Sequence, residues 1–252
     1  MPIGYDSGML KRLTSADREV LGRGVYGAGE SLRLLNFRKS EEGPSRAVSR
    51  QTVSRWLRGY DYHAGGELRH SDPLWRSDYA NDDGELELSF RDLIELRFVK
   101  AFRDLGLSLP AIRECFRRAA EEVKSERPFS TRKFRTDGKT IFLEITKGLG
   151  EGELIDLKRR QMAFRTVVEP SLRDLEFAAD AVARWYPLGL GRSVVIDPAR
   201  AFGRPLAEGG VSTGVLANAA TVEGSIGKAA RAYDVAPAAV RDAVEFERKL
   251  AA

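Results

Sequence analysis

Residues 48–58 read VSRQTVSRWLR, and the fold turns on how they are taken. Val53, Trp56 and Leu57 recur at i, i+3, i+4 spacing, which puts them on one face of a helix. Ser49 stands just before the first turn, where a hydroxyl accepts one of the backbone N–H groups that a helix start leaves without a partner. The opposite face carries Arg50, Gln51, Ser54 and Arg55. Arginine and glutamine can each bond two atoms of a base edge at once, and so tell guanine and adenine apart in the major groove. Taken alone, the stretch reads first as an ordinary surface helix with a solvated arginine face. Its neighbours turn the reading towards DNA.

Upstream, residues 26–37 (YGAGESLRLLNF) predict a helix with Leu32, Leu34 and Leu35 turned inward, and residues 36–46 form a charged loop broken by Gly43 and Pro44. Helix, loop, then a helix with a basic face is helix-turn-helix logic, with a loop longer than the usual tight turn. Downstream, residues 59–75 (GYDYHAGGELRHSDPLW) alternate aromatic residues around Gly65-Gly66, the pattern of a short hairpin. A hairpin directly after a reading helix is a wing, whose tip lies against the DNA backbone or in the minor groove. Trp75 is expected in the core, and Arg69 or His63 exposed towards DNA. The candidate DNA-binding residues are therefore Ser49, Arg50, Gln51, Thr52, Ser54, Arg55, Arg58, Tyr62, His63 and Arg69. Arg50, Gln51 and Thr52 are assigned to base edges, and Arg55, Arg58 and Arg69 to phosphates.

Ser89 and Asp92 resemble a capping box opening a helix whose stripe is Phe90, Leu93, Ile94, Val99, Phe102 and Leu105, closed by Gly106. Ser108 opens the next helix, with Pro110 in its first turn and Ile112, Cys115, Phe116, Ala119 and Val123 on its apolar face. Pro128 ends it. Residues 132–145 (RKFRTDGKTIFLEI) predict a β-hairpin about the two-residue turn signal Asp137-Gly138, with a further extended piece at 153–156, a mixed stretch at 161–168 and a helix at 172–185. A strand at 193–196 stopped by Asp197-Pro198 and a Gly-rich turn lead to three helices, at 213–220, 224–233 and 237–250. Val222, Ile226, Ala230 and Tyr233 support the second of these, and Val240, Ala243, Val244 and Leu250 the third. The expected fold is mainly α with small β elements. It comprises a leader (1–24), a winged helix-turn-helix (25–127), a connecting β-hairpin and helix (128–191), and a small helical domain opened by a short strand (192–252).

With 252 residues, 42% of them hydrophobic and 31% charged, the chain has the composition of a soluble globular protein. Its net charge of +4 is small, so the placement of arginines carries more information than their number. A single cysteine, Cys115, rules out a disulfide within the chain, and its apolar setting predicts a buried thiol. The first twenty residues lack a signal-peptide core and no apolar run approaches membrane-spanning length, so a cytoplasmic protein with no membrane role is expected. Gly22, Gly24 and Gly27 match GxGxxG, but the run before them is polar rather than a buried strand, and GSIGK at 224–228 lacks the spacing of a phosphate loop. His63, His70 and Cys115 make no zinc spacing, and no nucleophile, base and orienting group assemble. A non-enzyme with no catalytic residue, metal or cofactor is expected. Phe129, Phe134, Phe142, Phe164 and Trp185 leave open a small-effector pocket in the middle of the chain, against ordinary core packing.

Two stretches resemble known families. LSFRDLIELRFVKAFRDLGLSLPAIRECF, residues 88–116, resembles the helical part after the wing in the mercury-resistance-regulator (MerR) class of winged helix-turn-helix proteins. The tail at 194–247 resembles the domain-of-unknown-function 433 family through Asp197, Pro198, Gly203, Pro205, Gly210, Val240 and Ala243. That family often carries Gly-Thr-Arg before its first helix; here Gly210-Val211-Ser212-Thr213 has no such arginine. The double make-up is similar to VapB-type antitoxins of type II toxin–antitoxin systems. The resemblance implies a PIN-like ribonuclease toxin as partner, an operator in double-stranded DNA and autorepression of the operon. A homodimer is expected, reading a pseudo-palindrome and joined through the Asp137-Gly138 hairpin or the C-terminal domain. An exposed apolar groove on the middle or C-terminal domain is the expected toxin contact. The alternative is a stand-alone MerR-like transcription regulator answering a small effector.

Overall fold

The computed structural model describes residues 23–37, 47–79, 85–147 and 169–251. The expected leader up to residue 22, the loop at 38–46, the extended piece at 153–156 and the mixed stretch at 161–168 lie outside the described residues. Strand β1 (Tyr26–Gly27) leads into helix α1 (Ala28–Asn36). Helix α2 (Arg50–Arg58) follows, and then a hairpin of β2 (Tyr60–Ala64) and β3 (Glu67–Ser71). Asn36 joins the two ends of the long loop: its side chain donates to Val48 O at 3.0 Å and accepts from Val48 N at 2.7 Å. A side-chain amide thus stands where a backbone partner would, and it sets the separation of α1 and α2 whatever the loop length.

Strand β4 (Glu87–Leu88) pairs antiparallel with β1 in the register Tyr26↔Leu88, and Phe90 N donates to Arg23 O at 2.8 Å. The chain is therefore tied into the body from Arg23 onward. Helix α3 (Phe90–Asp104) is the central element, with residues of nearly every face buried, and α4 (Leu109–Val123) packs against it. Their aromatic residues gather with Phe129 and Phe134: ring centroids of Phe98, Phe102 and Phe116 lie 5.3 to 5.6 Å from Phe129.

The middle of the chain departs from expectation. Residues 132–147 form helix α5 (Arg132–Lys147), not a hairpin. Thr131 Oγ1 accepts from Phe134 N at 3.1 Å, closing the first turn, and the Phe134 ring packs 4.9 Å from Phe129. Gly138 lies one turn on, and a Cβ there would sit 3.3 Å from the Phe134 ring. The glycine clears room for a buried aromatic ring rather than supplying a turn, and burial of that ring outweighs the local Asp-Gly signal. Conversely, the helix expected at 172–185 is a short α6 (Glu169–Arg173) followed by a hairpin, β5 (Leu175–Ala178) and β6 (Ala181–Trp185). Here the alanine-rich sequence favours helix, yet β6 finds backbone partners at both ends. Val182 N donates to Ser130 O at 2.8 Å, and Trp185 exchanges both bonds with Ile196. Long-range pairing prevails over local propensity.

Val195 and Ile196 form isolated bridges, to Leu206 and Trp185, in place of the full strand expected at 193–196. Helices α7 (Thr213–Val222), α8 (Ile226–Ala232) and α9 (Pro237–Ala251) stand where expected. Val222, assigned to the apolar set of the second, is instead 73% exposed. The three helices share a small core rich in alanine, including Ala219, Ala229, Ala230, Ala239 and Ala243, with Leu216 and Val240. A larger core runs from Tyr26 to Ile196 and takes in Phe246 and Leu250 of α9. Phe37, just past α1, meets Phe246 at 5.1 Å and Trp185 at 6.4 Å.

Candidate nucleic-acid interface

Helix α2 is oriented by what it buries. Val53, Trp56 and Leu57 are at most 5% exposed, which turns Arg50, Gln51, Arg55 and Arg58 out to solvent and leaves Thr52 and Ser54 half-buried. Ser49 caps the helix as expected, its Oγ accepting from Thr52 N at 3.2 Å, and the two hydroxyls also share a hydrogen bond at 3.0 Å. Gly59 follows at φ +73°, and a Cβ there would lie 2.5 Å from Ser71 O. Only glycine lets the hairpin fold back directly against the end of α2.

The wing has the expected turn at Gly65-Gly66, both at positive φ. Its register pairs Tyr62 with Arg69 and His63 with Leu68. Cross-strand partners share a face and successive residues alternate. Tyr60, Tyr62 and Arg69 therefore share one side of the wing, and Asp61, His63, Leu68 and His70 the other. On the first side Arg55 of α2 lies over the Tyr60 ring, 5.4 Å from its centroid, and Tyr60 meets Tyr62 at 5.8 Å. On the second side His70 Nδ1 and Asp61 Oδ1 are 2.6 Å apart beside the 65%-exposed Leu68.

The structure thus brings Arg55, Tyr62 and Arg69 into one surface linking α2 to the hairpin. His63 faces away from that surface. Arg58 Nη2 donates to Glu85 O at 3.0 Å, holding the segment ahead of β4. Arg69 lies 3.6 Å from Glu67 in an exposed pair of small energetic weight.

Two arginines that the sequence reading passed over also shape this surface. Arg113 of α4 donates through Nη2 to Ser71 Oγ at 3.1 Å and to Asp72 O, which holds the root of the wing. Arg103 of α3 lines a recess of 220 Å3 together with Thr52, Arg55, Trp56, Tyr60 and Leu109. No spacing in the sequence connects Arg103 to Arg55; only the packing of α3 beneath α2 does. A second, larger groove of 870 Å3 runs between the segment after the wing and α4, over Leu74, Trp75, Arg113, Phe116, Lys124 and Arg127.

Beneath the wing the support is ionic and buried. Asp92 accepts from Trp75 Nε1 at 2.8 Å, Ser77 Oγ at 2.8 Å and Asp78 N at 3.0 Å, and lies 3.1 Å from Arg127 Nη2. Ser89 caps α3 through Asp92 N at 3.0 Å. That is one half of a capping box, made by the Ser89 hydroxyl, while the Asp92 carboxylate is engaged with Trp75, Ser77, Asp78 and Arg127. Glu95 is wholly buried, and burial pushes its carboxyl up to about 7 against the hydrogen bonds it accepts from Ser130 and Phe129. Arg97 lies 3.9 Å over the Trp185 ring, and burial lowers its guanidinium to about 10. Phe129, Phe134 and Trp185, considered above for an effector pocket, are at most 2% exposed and belong to the core. Among the described residues no helix is long and apolar enough to cross a membrane.

No protein-family model matches the chain, so the MerR and 433 likenesses stand on the residues quoted for them. A protein of Mycobacterium tuberculosis (strain ATCC 25618 / H37Rv) that carries the name "Putative antitoxin VapB45" is 26% identical to this chain over 210 residues, 79% of this chain and 87% of that protein. The crystal structure of Rv2018 from Mycobacterium tuberculosis matches with a TM-score of 0.59 and 21% identity, over 87% of this chain and 96% of that one, a likeness of fold.

Proposed function

We propose that the chain is the antitoxin of a type II toxin–antitoxin pair, a cytoplasmic non-enzyme that binds operator DNA as a homodimer, represses its own operon and neutralises a PIN-like ribonuclease. The observation that carries the DNA half is the solvent-facing set of Arg50, Gln51 and Arg55, joined through Tyr60 to Tyr62 and Arg69 on the wing. Forked donors at the start of a helix suit base edges, and the cations beside them suit phosphates. On this reading residues 25–127 form a MerR-like winged helix-turn-helix, 128–191 a connector and 192–252 the antitoxin-type domain. The antitoxin half is supported by the name and extent of the relative at 26% identity. The exposed Val215 and Val222, seven residues apart on the uncharged α7, offer an apolar face to a toxin.

Titration of operator DNA tests the first half. Arg50→Ala lowers affinity and relaxes base choice, whereas Arg55→Ala weakens every sequence alike and reduces the salt slope by about one unit. Unchanged operator affinity in both variants rejects the assignment. Co-expression with the product of the neighbouring reading frame tests the second half: a stable complex that silences its ribonuclease activity is expected.

The 870 Å3 groove over Trp75 and Phe116 favours a second reading, a stand-alone regulator with a small effector. A ligand-dependent rise in melting temperature with no protein partner present would support it.

A further inference from the structure

We infer that the recess between α2, the wing root and α3 is a seat for one phosphate of the DNA backbone, with Arg103 as a DNA-binding residue contributed by the core. This deepens the DNA-binding reading above and rests on it. The recess is lined by Thr52, Arg55, Trp56, Tyr60, Arg103 and Leu109, so two guanidinium groups share 220 Å3 with no carboxylate in the lining. The Arg55 guanidinium carbon lies 5.4 Å from the centroid of the Tyr60 ring, and both residues line the recess. Arg103, exposed on the last turn of α3, donates from Nη1 to Leu107 O at 2.6 Å, which orients its guanidinium. Two like charges held in one recess repel each other, and a tetrahedral anion between them converts that repulsion into charge-assisted hydrogen bonds.

Position identifies the anion. Thr52 lies in the first turn of the reading helix and Tyr60 at the root of the wing, so the recess marks where a DNA strand passes from one to the other. Arg103 stands on a helix whose inner residues are fully buried. A phosphate gripped there is referred to the rigid body of the protein, which sets how deeply α2 enters the groove.

The test is anisotropy titration of two duplexes, the operator and an unrelated sequence, across a KCl series. Arg103→Gln removes the charge and keeps a donor for Leu107 O. It is expected to weaken both duplexes roughly fivefold, to lower the salt slope by about one unit and to leave their affinity ratio unchanged. Arg103→Lys should restore the slope. An operator carrying one neutral methylphosphonate at the seated phosphate, found by scanning each position, should cost the wild type the same factor and cost Arg103→Gln nothing more. If Arg50→Ala alters operator binding while Arg103→Gln changes neither affinity nor slope, the phosphate seat is wrong and the DNA reading stands. If the wild type binds neither duplex, the DNA reading itself fails. Inorganic phosphate that competes beyond its ionic strength, with no methylphosphonate position sensitive to Arg103, would make the recess a free-anion site and overturn the backbone assignment.

Discussion

The indole N–H of Trp75 is bonded to Asp92 at 2.8 Å, and the same carboxylate oxygen lies 3.1 Å from Arg127. One buried charge therefore ties the segment after the wing to the central helix and neutralises a guanidinium that is itself only 5% exposed. Removing Asp92 takes away one of the two carboxylates on Arg127, leaving Asp78 at 2.9 Å, and deprives Trp75 Nε1, Ser77 Oγ and Asp78 N of their common acceptor. Asp92→Ala is expected to cost about 3–5 kcal/mol in urea unfolding. Asp92→Asn, which keeps an acceptor for the indole, should cost less. Equal losses for the two would show that the charge is irrelevant.

Glu95 makes stability depend on pH. Its carboxyl is raised from 4.5 to about 7, so the folded state holds the proton more tightly than the unfolded chain does. The contribution is fully present below the unfolded value and is lost as pH rises through the folded one. From pH 4.5 to 7 this group should therefore erode stability, by a total on the order of 3 kcal/mol. Glu95→Gln should flatten that part of the profile, as read by urea melts at successive pH values. A wild-type profile with no such decline relative to the variant would contradict the burial argument.

Gly59 controls the wing. At φ +73°, and with a Cβ position 2.5 Å from Ser71 O, Gly59→Ala must displace β3 or unwind the last turn of α2. A stability loss of about 1–3 kcal/mol is expected, with weakened DNA binding beyond what the lost stability explains. Gly65→Ala, where nothing lies within 4 Å of the new Cβ, should retain the hinge geometry at the wing root.

Tyr26 is wholly buried, its hydroxyl has no hydrogen-bond partner among the described residues, and burial raises its pKa well above 10. Tyr26→Phe removes an unsatisfied polar atom, so it should leave stability unchanged or raise it by about 1 kcal/mol in thermal melts. A clear loss would mean that the hydroxyl has a partner the geometry does not reveal.

Much of the candidate interface was legible from local chemistry. Ser49 as a cap, the Val53–Trp56–Leu57 face and the Gly65-Gly66 turn each involve residues close in sequence, where spacing and side-chain chemistry suffice. The middle was not, because its outcome lies in distant partners. Phe134 is drawn into helix by Phe129 and α4, and Val182 into strand by Ser130. Both reversed strong local signals. The buried charged residues Asp92, Glu95 and Lys100 sit within a helical stripe that reads as surface between apolar positions, and only the crowding of α3 on all sides takes them inside. Within the candidate interface, the alternation of the wing separates His63 from Tyr62, and Arg103 joins through packing alone.

The contact between Phe37 and Phe246 closes the molecule into a loop of dependence, since it sets α9 against the end of α1, the helix that precedes α2. A fragment cut before Pro237, made to isolate the proposed DNA-binding part, would remove the ring that packs on Phe37. Dissecting the two halves of this protein therefore calls for point changes on its surface rather than shorter chains.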